Sequence, residues 1–338
     1  MYISTKIKLP RSGLELTALG MGCSVIAGLY RETNETDARA AIDDAWDCGI
    51  RYFDTAPFYG YTLSEHRVGA ALRGRRREDF VLSTKVGRLM VPDATVAPGT
   101  DGWAAPLPFR PVYDYTHDGI MRSHADSLQR LGMSYVDILF VHDIGAFTHG
   151  DRHEYYWQQL TQGGGFRALV ELRDSGQVKA IGLGVNEWQV VRQAMQEAPI
   201  DCTLLAGRYT LLEQECVGPL LASCVEHGNS IVIGAPFNSG VLAGKQKFNY
   251  TDVPPHVRSR VERLAAVCAK YEVPLPAAAL QFPMAHPAVV SCIPGGRNVE
   301  QLRQNAGWFE QPIPREFWQT LVYENLINEN SPLPGKMA

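Results

Sequence analysis

The sequence predicts an α/β fold, a (β/α)8 TIM barrel with an N-terminal β-hairpin and long βα loops on one face, and three observations lead there. Strand-like and helix-like patterns alternate from about residue 17 to residue 310, as in a βα-repeating parallel sheet. Eight strand-and-helix pairs can be counted along that stretch. Strands such as Ile231-Val-Ile and Val289-Val are apolar on both faces, as a sheet covered by helices requires. An open doubly wound sheet is the competing arrangement.

The opening Ile7-Lys-Leu-Pro-Arg-Ser-Gly-Leu-Glu-Leu16 alternates around a Ser-Gly turn, which predicts a hairpin placed to plug the barrel's bottom. The first barrel strand is expected at 17–23. In the first helix Asn34 caps the start, Ala38, Ala41, Ile42, Ala45 and Trp46 recur at helical spacing, and Gly49 ends it. Further strands are expected at 50–54, 80–85, 136–141, 178–184, 201–206, 230–235 and 288–293. Helices are expected near 63–73, 117–131, 165–175, 187–197, 214–228, 256–270 and 298–308. The segments 86–116 and 236–255 are too long for plain connectors, carry many Pro and Gly residues, and follow strands, so they belong at the mouth as lids or clamps. The whole of 1–338 is expected to form a single domain, with a barrel core at about 17–310. A C-terminal extension at 311–338 is expected either over the mouth or as a peripheral helix.

Hydrophobic residues at 45% and charged residues at 20% fit a globular protein with a large core. A net charge of −4 argues against a nucleic-acid surface, and the short basic run Arg73-Gly-Arg-Arg-Arg77 is expected to be a solvated turn. No apolar stretch is long enough to span a membrane, and the N-terminus has no apolar signal core, so a cytoplasmic protein is expected. The 7 cysteines contain no C-x-x-C and are expected to be free thiols; no metal site is expected. Nothing in the sequence argues for more than a monomer or weak homodimer.

The chemistry is expected where strands run out. Asp54, Lys85 and His142 end three consecutive predicted strands, and Tyr59 follows Asp54 on the next loop. In a parallel barrel these positions project into the mouth. Tyrosine, with a pKa of about 10, is a poor acid or base near neutrality unless a neighbouring cation favours its phenolate. Lys85 is expected to supply that cation, Asp54 to hold Lys85 charged, and His142 to bond the substrate oxygen. Singly, each residue is as readily explained by packing or solvation; together they point to a carbonyl and alcohol pair.

These residues lie in segments that resemble the aldo-keto reductase family. The segments are Gly49-Ile-Arg-Tyr-Phe-Asp-Thr-Ala-Pro-Phe-Tyr-Gly60, Ser64-Glu-His-Arg-Val-Gly69, Ser83-Thr-Lys85, Asp137-Ile-Leu-Phe-Val-His142, Ile181-Gly-Leu-Gly-Val-Asn186 and Ile293-Pro-Gly-Gly-Arg-Asn298. The resemblance implies a barrel oxidoreductase that binds a nicotinamide cofactor, with Tyr59 as acid and base and Asp54, Lys85 and His142 as its partners. It implies that Asn186 holds the nicotinamide carboxamide, while the family's usual glutamine and stacking aromatic are replaced by Ala206 and Gly234. Pyrophosphate is expected near Asn238, Ser239, Gly240 and Leu242, through backbone amides and a hydroxyl. Gly295, Gly296, Arg297, Gln301 and Asn305 are expected along the rest of the dinucleotide. Lysine and arginine, frequent in NADPH-preferring members, are absent at Gly295 and Gln301, so NAD is expected, with NADP still open through Arg297.

The segment Leu204-Leu-Ala-Gly-Arg-Tyr-Thr-Leu-Leu-Glu-Gln214 resembles family members that oxidise a cyclic hemiacetal to a lactone. The implied substrate is small: a sugar at C1, such as L-fucose, L-galactose or D-arabinose, or alternatively pyridoxal. His117, Asp143, Trp103, Tyr113 and Trp188 are candidates to bind sugar hydroxyls, and Phe58, Trp103 and Trp188 to stack on a pyridine ring. The competing readings are an NADPH-dependent aldehyde reductase and a non-catalytic nucleotide-sensing subunit.

Overall fold

A computed structural model describes residues 1–249 and 251–335; position 250 of the 236–255 segment and 336–338 of the C-terminal extension lie outside the described residues. Eight parallel strands follow one another around the sheet: Met21–Gly22, Tyr52–Asp54, Val81–Val86, Ile138–His142, Ala180–Val185, Cys202–Ala206, Ser230–Gly234 and Val289–Ile293. Isolated parallel bridges pair Leu19 with Cys292 and Gly22 with Gly295, joining the eighth strand to the first. The sheet therefore comes round into a barrel, not an open doubly wound sheet.

Side-chain alternation divides the core in two. Tyr52, Ile138, Phe140, Cys202, Val232 and Val290 fill the interior, and Leu9 and Leu16 join them from the N-terminal hairpin Lys6–Lys8 and Glu15–Thr17. The hairpin thus closes one end of the interior, as expected. Residues of the opposite parity, such as Leu139, Val141, Ile181 and Leu183, belong to the larger outer cluster that packs against the helices. The first helix, Glu35–Asp47, starts where Asn34 accepts a bond from the Asp37 amide, and buries Ala38, Ala41, Ile42 and Ala45.

The long segments contain more structure than the sequence pattern shows. Within 86–116, strands Arg88–Pro92 and Phe109–Tyr113 pair antiparallel, with Arg88 opposite Tyr113. Two short helices, Ala146–His149 and His153–Leu160, precede the helix Gly165–Asp174. Between strands seven and eight the helix Pro255–Lys270 is followed by a second, Leu275–Gln281, whose Ala277, Ala278, Ala279 and Leu280 are fully buried. Its Leu-Pro-Ala-Ala-Ala-Leu-Gln sequence is too short for a periodic signal, and Pro at its start obscures it.

The helix of the C-terminal extension is peripheral, while Asn328 beyond it bonds Gln214 in the segment after strand six at 2.7 Å. That helix, Arg315–Tyr323, buries Phe317, Trp318 and Leu321, and Thr320 bonds Tyr271 at 2.7 Å beyond the end of Pro255–Lys270. Arg260 reaches the Leu326 carbonyl at 3.0 Å. The basic run at 73–77 is also more than a solvated turn: Arg77 pairs with the fully buried Asp137 at 2.5 Å, and Arg75 pairs with Asp43 at 2.6 Å. The cysteines are all free.

Because Leu16 is fully buried and seals one end of the interior, Leu16→Ala is expected to lower unfolding free energy by about 2–5 kcal/mol. Urea denaturation checks this, and an unchanged midpoint would show that the hairpin is not a plug.

Candidate active site

Strand pairing sets the site. Asp54 lies opposite Ser83 in the register of strands two and three, with Lys85 two residues further on. The Lys85 ammonium donates to Asp54 Oδ2 at 2.7 Å, to the Thr55 carbonyl at 2.9 Å and to Tyr59 Oη at 2.9 Å. An ammonium has three donors and no acceptor, so every Lys85 proton is committed. The Tyr59 oxygen accepts, and its own hydrogen must point elsewhere. Ser83 donates to the other Asp54 oxygen at 2.8 Å. Both charged side chains are nearly inaccessible, Lys85 at 1% and Asp54 at 2% exposure. Gly184 leaves room for the lysine stem: a Cβ there would lie 3.1 Å from Lys85 Cε.

Burial raises the Asp54 carboxyl, with Lys85 pulling it back. Lys85 donates to the phenol oxygen, but in the resting site other influences on the Tyr59 pKa prevail. Burial first, then the charges of Asp54 and Asp143, raises the Tyr59 hydroxyl well above its ordinary pKa. Tyr59 is therefore held protonated at neutral pH. His142 is kept neutral, its pKa lowered far below the ordinary value by burial and by the charges of Arg88 and Lys85. Its ring meets the Tyr59 ring edge-on at 5.8 Å, and its carbonyl accepts from Tyr115 Oη at 2.8 Å.

Tyr59, Lys85 and His142 line a cavity of about 560 Å³, as do Phe58, Trp103, Tyr113, Asp143 and Asn186. Trp103 is buried with its ring 5.9 Å from that of Tyr59, and its Nε1 has no partner among the described residues. Two candidates lie elsewhere. Trp188 lines a separate groove with Glu187 and Arg208, because it opens the helix Gln189–Glu197 and packs toward the outer core. His117 bonds Glu171 at 2.9 Å on the helical exterior.

Arg88, which the sequence reading missed, also lines the cavity. It pairs with Asp143 at 2.5 Å, and Asp143 accepts from Asn186 Nδ2 at 2.9 Å. Burial opposes the arginine charge, but Asp143 together with Tyr113, Tyr115 and Tyr59 outweighs it and raises the pKa. The Pro-rich segment hid the hairpin that carries Arg88, so only its place three residues after Lys85 could have flagged it.

The dinucleotide candidates are placed unevenly. The amides of Asn238, Gly240 and Leu242 close turns onto the Ala235 and Phe237 carbonyls, and the Asn238 side chain donates to the Gly207 carbonyl at 3.1 Å. Leu242 is fully buried. Those three backbone amides are thus engaged within the turn. Ser239 lies in the same turn, with φ +60°. A Cβ on Gly295 would meet Val25 at 2.9 Å, and one on Gly296 would run into Leu302, so close internal packing requires both glycines. Gln301 accepts from the Arg297 amide at 3.1 Å, and Asn305 donates to the Gly295 carbonyl at 3.2 Å, which ties this turn to the following helix.

Cations gather beside this turn. Lys245, also missed in sequence, runs across Gly240, where a Cβ would come within 2.6 Å of its Cδ. Partial burial and the nearby Arg297 charge lower the Lys245 pKa. Arg297 in turn is affected by burial and by Arg31, and donates to the Arg31 carbonyl at 2.8 Å. No carboxylate pairs with Lys245, Arg297 or Arg31 among the described residues. Three neighbouring cations without a counter-ion fit a diphosphate, and Asn186 beside the small Ala206 and Gly184 fits a flat amide-bearing ring in the mouth.

The sequence matches the Aldo/keto reductase family over residues 18–323. The chain belongs to the aldo/keto reductase family. It is 51% identical to a pyridoxal 4-dehydrogenase of Microbacterium luteolum, over 96% of this chain and 98% of that protein. It is 39% identical to a D-threo-aldose 1-dehydrogenase of a Pseudomonas species, over 96% and 98% of the two chains. In structure it resembles the holo form of an aldo-keto reductase from Bacillus halodurans, with a TM-score of 0.73, 25% identity and coverage of 96% and 97%. As an aldo/keto reductase it is an NAD(P)-dependent oxidoreductase of small molecules. None of the helices among its described residues is long and apolar enough to cross a membrane, and no metal-binding cluster occurs among those residues.

Lys85→Met leaves the Asp54 carboxylate buried without its cation and is expected to cost about 3–5 kcal/mol of stability near neutrality. The Asp54 pKa is already raised above its unfolded value, so folding favours its protonated form. The penalty should be smallest in acid and grow as pH rises through the folded-state pKa. Denaturation curves at acid and neutral pH test this, and a penalty independent of pH would contradict it.

Proposed function

We propose that this aldo/keto reductase oxidises the hydroxyl of a cyclic hemiacetal to a lactone with NAD, and that pyridoxal in its internal hemiacetal form is the preferred substrate. The observation that carries this reading is the Tyr59 hydroxyl, which accepts from Lys85 and so turns its own hydrogen away from that bond, on a ring that lines the cavity. The aromatic wall of Phe58, Trp103 and Tyr113 suits a flat heteroaromatic ring, and the similarity to a pyridoxal 4-dehydrogenase supports the same choice. A sugar hemiacetal is the second reading, supported by the relative named for D-threo-aldoses and by the polar atoms of Arg88, Asp143 and Trp103 at the cavity. A pure nucleotide sensor has no need of all four residues Asp54, Tyr59, Lys85 and His142.

NAD, when bound, supplies the hydride acceptor. Tyr59, once it has lost its proton to solvent, takes the proton of the substrate hydroxyl. Lys85 stabilises the phenolate through the 2.9 Å contact, and Asp54 keeps Lys85 aimed. Neutral His142 bonds the same substrate oxygen and fixes its position. Phe58 and Trp103 exclude water from the reacting carbon. Asn186, oriented by Asp143, holds the carboxamide of the nicotinamide. Lys245 and Arg297 neutralise the diphosphate, with Ser239 beside them. NAD is favoured over NADP because neither position 295 nor 301 carries a cation for a 2′-phosphate.

Initial rates with NAD and NADP on pyridoxal, L-fucose, L-galactose and D-arabinose test the reading. Lactone formation from pyridoxal is expected, and turnover of sugars alone would move the assignment to an aldose dehydrogenase. Tyr59→Phe is expected to lower kcat by at least ~10²-fold; an unchanged rate would sink the mechanism. Because the Tyr59 pKa lies well above its ordinary value, hydroxyl oxidation in the wild type should climb with pH from neutral to alkaline, by up to about tenfold per pH unit. A flat profile under conditions where chemistry limits the rate would remove Tyr59 as the base. Gln301→Arg should shift preference toward NADP, and a fixed NADP-to-NAD ratio would show that the ribose end lies elsewhere.

A further inference from the structure

Arg88 is a charged residue at the cavity that the proposed chemistry leaves without a task. It is 4% exposed, lines the cavity with Tyr59 and His142, and stacks with its guanidinium carbon 4.2 Å from the centre of the Phe58 ring. A terminal nitrogen donates to Asp143 Oδ2 at 2.5 Å, and the same oxygen lies 3.5 Å from His142 Nε2. Guanidinium and imidazole therefore meet at one carboxylate atom. An oxygen held by Tyr59 and His142 has Arg88 as its neighbour. Yet Arg88 Nε is buried with no partner among the described residues. Native proteins rarely leave such a donor unpaired, and when they do the reason is often functional.

The surroundings hold this donor in place. Asp143 adopts φ +48°, an uncommon conformation for a residue with a side chain. Arg88 on one carboxylate oxygen and Asn186 on the other keep it there. Backbone strain and an unpaired donor at one spot are characteristic of ligand clamps. The ion pair with Asp143 uses one terminal nitrogen and cancels the net charge, so the cavity meets a guanidinium with donors to spare instead of a bare cation. The guanidinium is suited to that task because its five donors are fixed in a plane and it stays charged when buried.

We propose that Arg88 is a specificity-determining residue whose guanidinium donates to an oxygen carried by the substrate beside the carbon being oxidised. In pyridoxal that oxygen is the ring hydroxyl next to the carbon bearing the hemiacetal; in a sugar it is the hydroxyl on C2. The inference rests on the cyclic-hemiacetal reading and adds to it a required neighbouring oxygen. Simple aldehydes and alcohols leave the donor unpaired and are discriminated against.

The test compares kcat/KM within two pairs, pyridoxal with its 3-deoxy analogue and L-fucose with 2-deoxy-L-fucose, in the wild type, Arg88→Gln and Arg88→Lys. In whichever pair the wild type turns over, it should prefer the oxygen-bearing member by about 10- to 100-fold, the loss expected for a hydrogen bond to a charged group. Arg88→Lys keeps a cation for Asp143 but lacks the planar fork that can hold Asp143 and a substrate oxygen together, so a merely structural Arg88 predicts that it retains the preference. We expect both variants to reduce the ratio to within about threefold, chiefly by losing activity on the oxygen-bearing member. Equal losses on both members, or no preference in the wild type, overturn the proposal. Equilibrium binding of the corresponding lactones, followed by tryptophan fluorescence, must show the same collapse without turnover. If the wild type acts on neither pair, the cyclic-hemiacetal reading fails first and takes this proposal with it; if only the variant ratios fail to move, that reading stands and Arg88 is structural.

Discussion

The interaction on which the site depends is the buried ion pair of Lys85 and Asp54. Removing two charges from water is costly, and their attraction compensates only when the geometry is good and the remaining hydrogen-bonding capacity is satisfied. Here it is satisfied: Lys85 gives its three protons to Asp54, Thr55 and Tyr59, and Ser83 bonds the second Asp54 oxygen. The completeness of this arrangement has a chemical consequence. A lysine with no spare proton and no acceptor fixes the direction of the Tyr59 hydroxyl, so a structural necessity of the barrel interior orients the proposed acid and base.

A second pair, Arg88 with Asp143, completes the other side of the cavity. It connects the hairpin after strand three, the end of strand four and, through Asn186, the end of strand five. The two pairs differ in what they leave over. Lys85 is saturated and passes its influence to Tyr59, whereas Arg88 retains a buried donor. His142 lies between them and is kept neutral by burial and by both cations, so the cavity joins two balanced charges to an uncharged imidazole and an aromatic wall.

Much of the barrel could be read from the chain because each strand is short, apolar and followed by a helix with its own caps and periodicity. Asp54, Lys85 and His142 were legible for the same reason: the end of a parallel strand has one destination. Elements without a local period were not legible. Proline-rich sequence concealed the hairpin that carries Arg88, and seven residues were too few to mark the helix Leu275–Gln281. Trp188 was misplaced because adjacency to a strand end does not say which side of a loop a ring will occupy. The engagement of the amides near Asn238 within their turn was not legible, because it depends on backbone angles that residue names do not specify.

The sequence by itself determined the alternation of elements, the family, and the identities of the groups at the strand ends, since these follow from local hydrophobic pattern and from motifs a few residues long. Only the tertiary structure decided how those groups act on one another. Burial raises Tyr59 instead of lowering it, Arg88 shares an oxygen with His142, and Lys245, Arg297 and Arg31 gather from three distant segments into one cationic cluster. Electrostatic energies depend on separation and on exclusion of water, and both are set by the closed barrel and its loops, not by neighbours in the chain.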